Sequence, residues 1–283
     1  IIIIWYLAQR FSKQQEEIGI YDFQVLTQNQ WLPRSFNDWR FVLLVMIGSL
    51  AIFPDLGNAT ILFLVSLLMY SISGIAHRWF ATILAILTTL ATVILTTIKV
   101  IGVDKVSKIP VFGYVAKRFS AFFNPFDDVA GAGHQLANSY YAMVNGGWFG
   151  LGLGNSIEKR GYLPEAHTDF VFSIVIEEFG FVGASLILAL LFFLILRIIL
   201  VGIRARDPFN SMVAIGIGGM ILIQVFVNIG GISGLIPSTG VTFPFLSQGG
   251  NSLLVLSVAI AFVLNIDASE KRARLFSEYD AQL

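Results

Sequence analysis

Three ionisable side chains stand within five positions of one another in LPEAHTDFVF, residues 163–172, directly before a long apolar run. They are Glu165, His167 and Asp169. Together they could ligate a metal, but their spacing is not the H-E-x-x-H pattern of a tight zinc site, and it suits only weak oxygen ligation of Mg²⁺ or Mn²⁺. Asp169 could equally cap the following helix, with Glu165 favoured by the helix dipole. The residue types alone leave both alternatives open.

A polar stripe is predicted to continue from this cluster into the apolar run. If the helix begins near His167, then Asp169, Ser173 and Glu177 recur every fourth residue and share one face. A carboxylate facing lipid is costly, so we expect Glu177 to face the bundle interior or a water-filled cavity. The alternative for Glu177 and its neighbour Glu178 is pairing with a Lys or Arg from another helix.

Three glycine- or proline-rich stretches indicate broken elements near the same face. PDLGNA, residues 54–59, contains Asp55, and PSTGVTFPFLSQGGNS, residues 237–252, precedes the last apolar run. Irregular backbone at membrane depth is tolerated where it is buried in protein or lines a cavity, so these stretches favour a polar cavity over ordinary turns. GGWFGLGLG, residues 146–154, matches no phosphate-binding motif, and close backbone packing or a re-entrant turn is the better interpretation.

The composition determines which elements must position these residues. The chain has 283 residues, of which 56% are hydrophobic and 13% charged, with a mean hydropathy of +0.77. Soluble domains carry roughly 25% charged residues, so this is an integral membrane protein of the all-α class. Its zero net charge gives no basic field for nucleic acid, and the absence of cysteine excludes disulfides and thiolate chemistry.

The apolar runs predict a polytopic helix bundle with about six full transmembrane helices and a partial one at residues 1–8. One helix precedes the break at Pro54, and the others lie near 56–75, 80–98, 170–196, 211–232 and 252–266. The chain begins IIIIWYLA, without methionine or a basic segment, so we expect a piece that lacks upstream sequence. Residues 1–283 are predicted to form one membrane domain.

The basic residues of the short loops predict the orientation. Arg78, Arg197, Arg204 and Lys271 fall on one side if the helices alternate, and that side is predicted to be cytoplasmic. The long loop at about 99–168 also carries basic residues, but long loops cross largely regardless of charge. This loop, with LPEAHTD at its end, is therefore expected outside the cell.

Four stretches together resemble a known family. They are PDLGNA at 54–59, KRFSAFFNPFDDVAGAGHQLANS at 117–139, GGWFGLGLGNSIEKRGYLPEAHTDFVFSIVIEEFGFVG at 146–183 and GLIPSTGVTFPFLSQGGNS at 234–252. They resemble the SEDS proteins of shape, elongation, division and sporulation, the FtsW/RodA/SpoVE group. GLGNSIEKRGYLPEAHTDF is similar to the FtsW division branch of Gram-positive bacteria, whereas the RodA branch usually has G-T-Q where GNS stands. Gln248 departs from the tyrosine usual in the family.

The resemblance implies a fold of ten membrane helices, of which this chain would supply the end of the fourth to the tenth. It implies a glycosyltransferase that polymerises lipid II into β-1,4 glycan strands on the outer face of the cytoplasmic membrane during division. The catalytic carboxylate would be the Asp of H-T-D-F, Asp169. Substrate-binding residues would be Arg118, Lys117, Lys159, Arg160, Glu165, His167, Ser139 and Ser247.

The resemblance also implies a divalent cation, Mg²⁺ or Mn²⁺, with unknown ligands. The implied partners are lipid II, polyprenyl-linked glycan, a class B penicillin-binding protein, other division proteins and membrane lipid. Two other hypotheses stay open. One is a lipid II flippase with Asp55, Glu177 and Glu178 as cavity groups. The other is a scaffold without catalysis.

Overall fold

The computed structural model of the chain describes residues 1–18, 56–73, 118–119, 121–129, 131 and 133–280, together with residues 85, 89 and 96. All regular elements in this part of the chain are helical. The helices are α1 (Ile2–Ile18), α2 (Leu56–Ile72), α3 (His134–Gly146), α4 (Val171–Arg204), α5 (Pro208–Ile232) and α6 (Gly250–Asp280), with a short 3₁₀ helix at Glu158–Arg160.

Three of these helices, α4, α5 and α6, are long and apolar enough to cross a membrane, and the shorter α2 is also apolar. They correspond to four of the predicted helices and confirm the all-α membrane class. The run predicted before Pro54 lies outside the described residues, as does the run at 80–98 apart from residues 85, 89 and 96. At α5, Asp207 accepts a hydrogen bond from the Asn210 amide at 3.0 Å and Pro208 follows it, a favourable start for a helix.

The chain divides into two compact units, and the prediction of one domain over residues 1–283 stays a prediction. The first unit comprises Ile1–Ala81, Leu194–Ile221 and Leu254–Leu283. Its core includes the fully buried side chains of Leu7, Phe11 and Met69. A Cβ at Gly216 would lie 2.6 Å from the Met69 sulfur, so a residue without a side chain lets α5 pack closely here.

The second unit comprises Thr82–Phe193 and Leu222–Leu253 and holds the candidate site. Its ring pair of Phe172 and Phe243, stacked 4.8 Å apart, joins the start of α4 to the loop between α5 and α6. Both rings are buried, which stabilises each by about 2 kcal/mol relative to exposure. This pair fixes the loop at residues 233–249 next to the stretch that precedes α4.

Helix α4 is interrupted at Gly180, whose φ of 69° is left-handed. The Glu177 and Glu178 carbonyls, which the break leaves without helical partners, accept hydrogen bonds from the Leu151 and Gly152 amides at 2.9 Å each. A Cβ on Gly180 would lie 2.4 Å from the Trp148 carbonyl, so only glycine allows this approach. The prediction of close backbone packing for GGWFGLGLG is confirmed.

Candidate functional site

Asp169 lies in a tight turn and not in a helix. The Glu165 carbonyl accepts hydrogen bonds from the Thr168 and Phe170 amides at 3.1 and 3.2 Å, and Glu165 has a left-handed φ of 55°. Helix α4 begins only at Val171. The predicted helix start near His167 is therefore wrong by about one turn, and Asp169 is not in helical register with Ser173.

Three consecutive carbonyls around Asp169 are each held by a donor distant in sequence. The His167 carbonyl accepts from the Gln248 amide at 2.8 Å, and the Thr168 carbonyl accepts from the Ser247 hydroxyl at 2.6 Å. The Asp169 carbonyl accepts from the Asn228 side-chain amide at 2.7 Å. The backbone that carries the Asp169 carboxylate is thus fixed by α5 and by the loop that follows it.

Arg118 reaches the same place from the long loop. Its guanidinium donates a hydrogen bond to the Ser238 carbonyl. Gly240, with a left-handed φ of 76°, lies against both groups: a Cβ built on it would be 3.1 Å from Arg118 Nη2 and 3.3 Å from Asp169 Oδ2. Because glycine has no Cβ, position 240 leaves room for the guanidinium and the carboxylate to lie near each other.

These residues line a small polar cavity of about 20 Å³. A cavity needs roughly 10–15 Å³ to hold one water, so this one accepts a single water or hydroxyl group but no sugar ring. Its polar lining includes Arg118, Gln135, Asp169, Asn228, Ser238 and Thr239. Asp169 itself is only partly buried, so its carboxylate can meet a ligand from outside.

The surroundings raise the pKa of Asp169 above the usual value for an aspartate. Burial is the largest cause, because it disfavours the charged form, and the nearby Glu165 carboxylate acts in the same direction. The Arg118 guanidinium opposes both by stabilising the carboxylate. A carboxylate with a raised pKa binds a proton more readily, which suits a group that has to accept one.

Ser139 and Ser173 are placed together, but away from the cavity. Their hydroxyls are 2.8 Å apart, and the Ser139 hydroxyl also donates to the Ile232 carbonyl at 3.2 Å. Both side chains are fully buried, and neither lines the cavity with Asp169. The structure places both serines in a hydrogen bond that joins α3 to α4, and the cavity role of Ser173 and the substrate contact of Ser139 stay predictions.

Glu177 is also buried, and its carboxylate is occupied by the loop before α4. It accepts hydrogen bonds from the Ser156 hydroxyl, from the Ile157 amide at 3.1 Å and from the Glu158 amide at 3.4 Å. Asn145 donates from 3.4 Å as well. The prediction that Glu177 faces away from lipid is confirmed, but the structure places it in a hydrogen-bonded clamp and not in the cavity with Asp169.

The cations predicted to bind substrate fall in different places. Lys159 forms an ion pair with Glu178, the kind of pairing that was the alternative for this carboxylate, although Lys159 lies on the short 3₁₀ helix and not on another membrane-length helix. Arg160 is exposed on the short 3₁₀ helix. Neither lines the cavity, whereas Arg118 does. Lys117 and Asp55 lie outside the described residues.

Glu165 and His167 do not belong to a metal-binding group in the described part of the chain. Glu165 accepts a hydrogen bond from the Thr168 hydroxyl at 2.7 Å, and His167 is exposed. Within the described ranges, no three His, Asp or Glu side chains are grouped to hold a metal ion. The guanidinium of Arg118 adds a positive charge beside Asp169. These residues therefore do not fit a divalent ion held by protein side chains alone.

Asn228 is the main site residue that the sequence analysis missed. It is 4% exposed, lies within the apolar helix α5 and donates to both the Asp169 and Val241 carbonyls, at 2.7 and 2.6 Å. An amide inside an apolar run of membrane-crossing length is itself a signal of an internal polar partner, and it could have been read from the sequence. No comparable pattern in the sequence indicated that Gly240 lies against Arg118 and Asp169.

The sequence matches the model of the FtsW/RodA/SpoVE family of cell cycle proteins over residues 1–272. It is 52% identical over 273 residues to the "Probable peptidoglycan glycosyltransferase FtsW" of Lactococcus lactis and 38% identical over 271 residues to that of Bacillus subtilis. These alignments cover 96% and 94% of the chain. The chain spans only 65% and 62% of the length of those two relatives.

Two solved structures share the fold. One is a chain from a study of structural coordination of polymerization and crosslinking by a peptidoglycan synthase complex, with a TM-score of 0.65 and 23% identity, covering 94% of this chain and 68% of that one. The other is the rod shape determining protein RodA of Thermus thermophilus, with a TM-score of 0.51 and 24% identity, covering 87% and 61%.

Proposed function

The chain belongs to the FtsW/RodA/SpoVE family of cell cycle proteins, and we propose that it acts as a peptidoglycan glycosyltransferase that polymerises lipid II. The FtsW names of its relatives in Lactococcus lactis and Bacillus subtilis favour a role in septal cell-wall synthesis. Family membership and three membrane-length helices make it a protein of the cytoplasmic membrane. Its placement at the septum, with the long loop outside the cell, is part of the proposal.

One observation carries this proposal: the partly buried Asp169 carboxylate lies beside Arg118 on a backbone held by three separate donors. Glycosyl transfer with inversion needs a single base that takes the proton of the attacking hydroxyl. A carboxylate fixed in position, with its pKa raised by burial, can do so. In this proposal Asp169 accepts the proton of the 4-hydroxyl of the acceptor sugar. The oxygen of that hydroxyl attacks the anomeric carbon of the donor.

The leaving group of this reaction is a polyprenyl diphosphate, whose growing negative charge needs a cation. Arg118 is the best-placed candidate in the described part of the chain, because Lys159 is already paired with Glu178 and Arg160 is exposed away from the cavity. Because the side chains of the described residues do not fit a resident metal ion, we propose that Mg²⁺ or Mn²⁺ arrives with the diphosphate as part of the substrate.

The proposed partners follow from this reaction. Lipid II and polyprenyl-linked glycan are the substrates, and their tails require membrane lipid around the site. A class B penicillin-binding protein would crosslink the product, in keeping with the shared fold of a chain from a peptidoglycan synthase complex. Other division proteins of the membrane complete the proposed assembly.

Among the described residues, neither acidic side chain on which the flippase hypothesis depends lines the cavity with Asp169. It relied on Glu177 and Glu178 as cavity groups, but Glu177 is held by the loop at 156–158 and Glu178 by Lys159. No observation in the described residues favours transport over polymerisation.

The decisive experiment is polymerisation by the purified full-length protein supplied with lipid II and Mn²⁺. Asp169→Asn keeps the size of the side chain and removes the base, so we expect the rate to fall at least about a hundredfold. Asp267→Asn is the matched control, since it makes the same change in the exposed pair of Asp267 with Lys271. Wild-type rates in the folded Asp169→Asn variant would contradict the proposal, and lipid II translocation without polymer would favour transport.

A further inference from the structure

The orientation of the Asn228 side chain is set by its two acceptors. Its Nδ2 donates to the Asp169 and Val241 carbonyls, at 2.7 and 2.6 Å. Only the amide nitrogen can face two carbonyls, so a flipped side chain would bring three oxygens together without a proton between them. The Oδ1 atom must therefore be the end of the amide that is turned away from both carbonyls.

The Oδ1 of Asn228 is a buried acceptor without a donor among the residues that the structure describes. A buried polar atom left without a hydrogen bond costs about 1–3 kcal/mol, and native proteins keep few of them. Asn228 is 4% exposed and lines the cavity that it shares with Asp169 and Arg118. The cavity volume of about 20 Å³ matches one hydroxyl group.

We propose that Asn228 Oδ1 accepts a hydrogen bond from a second hydroxyl of the acceptor sugar, next to the hydroxyl that Asp169 deprotonates. This inference rests on the proposed function. The chemistry is that of a sugar ring: its neighbouring hydroxyls point into one small region, and each can donate one proton. One hydroxyl would donate to the Asp169 carboxylate and the other to the Asn228 amide oxygen, so the pair would set the angle of the ring before attack.

The arrangement makes Asn228 a specificity-determining residue with two separable tasks. Its Nδ2 donates to the backbone carbonyl of Asp169, while its Oδ1 accepts a hydrogen bond from the substrate. A site built to bind a substrate hydroxyl rejects an analogue that lacks it, because the buried acceptor is then left unpaired. The two tasks can be separated by experiment, because recognition of the hydroxyl depends on the substrate used and support of the Asp169 backbone does not.

The test compares natural lipid II with acceptor analogues whose terminal sugar lacks either the 3-hydroxyl or the 6-hydroxyl, using the full-length protein. For the wild type, we expect one analogue to react about tenfold to a hundredfold more slowly than natural lipid II, the equivalent of one lost hydrogen bond. In Asn228→Leu, which removes both amide ends, this ratio should fall to near one, whatever the overall rate.

Two variants control for folding and for burial. Asn228→Asp keeps an acceptor oxygen and loses the amide donors, so it should retain discrimination even if it reacts slowly. Gln224→Leu removes an acceptor that also has no donor in the described part of the chain, one turn earlier on α5 and outside the cavity, and should keep the wild-type ratio. Because each ratio is taken within one preparation, partial misfolding cannot imitate the result.

Two outcomes would overturn the inference. If the wild type uses both deoxy analogues as well as natural lipid II, the donor to Oδ1 is not a substrate hydroxyl, whether or not any variant folds. If Asn228→Leu slows all three substrates by the same factor, Asn228 only holds the backbone of Asp169. A wild type that forms no polymer from natural lipid II would instead overturn the proposed function, and this inference with it.

Discussion

Asp169 and Glu177 are eight residues apart in one stretch of chain, yet their carboxylates have opposite surroundings. Glu177 is fully buried and accepts hydrogen bonds from Ser156 and from the amides of Ile157 and Glu158. Asp169 is partly exposed, its hydrogen bonds go to its backbone carbonyl, and its carboxylate lies at a cavity beside Arg118. The first carboxylate is committed to the fold, and the second is available to a ligand.

The comparison teaches that burial of an acidic group does not distinguish a site from a structural clamp. What distinguishes them is whether the protein itself satisfies the carboxylate. At Glu177 the donors come from the adjacent loop, so the charge stabilises that loop. At Asp169 the donors hold the backbone, the carboxylate lies at a cavity, and burial raises the pKa.

The largest expected effect on stability is at Glu177. Glu177→Ala would leave the buried Ser156 hydroxyl, the buried Glu158 amide and the partly buried Ile157 amide without their acceptor, and each buried orphaned group costs about 1–3 kcal/mol. We expect a loss of roughly 3 kcal/mol or more, measured by unfolding of the purified protein in detergent. Glu177→Gln keeps one acceptor oxygen and should lose less. An unchanged unfolding midpoint in Glu177→Ala would show that the hydrogen bonds to Glu177 do not stabilise the fold.

Arg118 tests the electrostatics of the other carboxylate. Since the base must be unprotonated, activity should fall as pH drops through the pKa of Asp169, and Arg118 lowers that pKa against the effect of burial. Arg118→Ala should therefore move the acidic limb of the kcat/KM profile to higher pH and slow the reaction at least about tenfold at neutral pH.

The matched control for this change is Arg118→Lys, which keeps the positive charge and loses the planar fork. It should shift the acidic limb less than Arg118→Ala does. A loss of rate that persists at high pH would place Arg118 on the diphosphate as well. An acidic limb that stays where it is in Arg118→Ala would contradict the coupling between the two side chains.

Gly240→Ala tests whether the empty side-chain position matters. A Cβ there would press on Arg118 and Asp169, at 3.1 and 3.3 Å, and an alanine at a φ of 76° costs about 1 kcal/mol. We expect about a tenfold loss of kcat together with this small destabilisation. Gly154→Ala is the matched control, because Gly154 has a φ of 86° but no atom within 4 Å of its Cβ position. Equal activity losses in both variants would show that strain alone is responsible.

The smallest effect concerns the stability of Asp169→Asn. The folded protein raises the pKa of Asp169, so ionising this group costs stability. The stabilisation that protonated Asp169 gives the folded protein is complete below the pKa that Asp169 has in the unfolded chain. It is lost as the pH rises through the pKa that Asp169 has in the folded protein. Asp169→Asn should therefore unfold at the same temperature as the wild type, or slightly higher, at neutral pH, and lose this advantage in acid. A clearly less stable variant at neutral pH would mean that the carboxylate is a structural group.

The sequence predicted the membrane class and singled out two residues that the structure brings together. The composition and apolar runs gave the membrane class, and the motifs around H-T-D-F and the long loop identified Asp169 and Arg118, which the structure brings to one cavity. The helical register from Asp169 to Ser173 was wrong because Glu165 adopts a left-handed turn that delays the start of α4. That turn depends on contacts with the loop at 233–249, which no local pattern contains.

The sequence by itself determined which of the described helices are long and apolar enough to cross a membrane, because apolar length and composition set the cost of leaving a segment in water. It also determined which side chains could do chemistry. Only the tertiary structure decided which carboxylate the protein itself satisfies, because the deciding hydrogen bonds join positions far apart in the chain. Ser156 reaches Glu177, whereas Asn228 and Ser247 hold the backbone at Asp169, and no hydrogen bond from the described residues reaches its carboxylate.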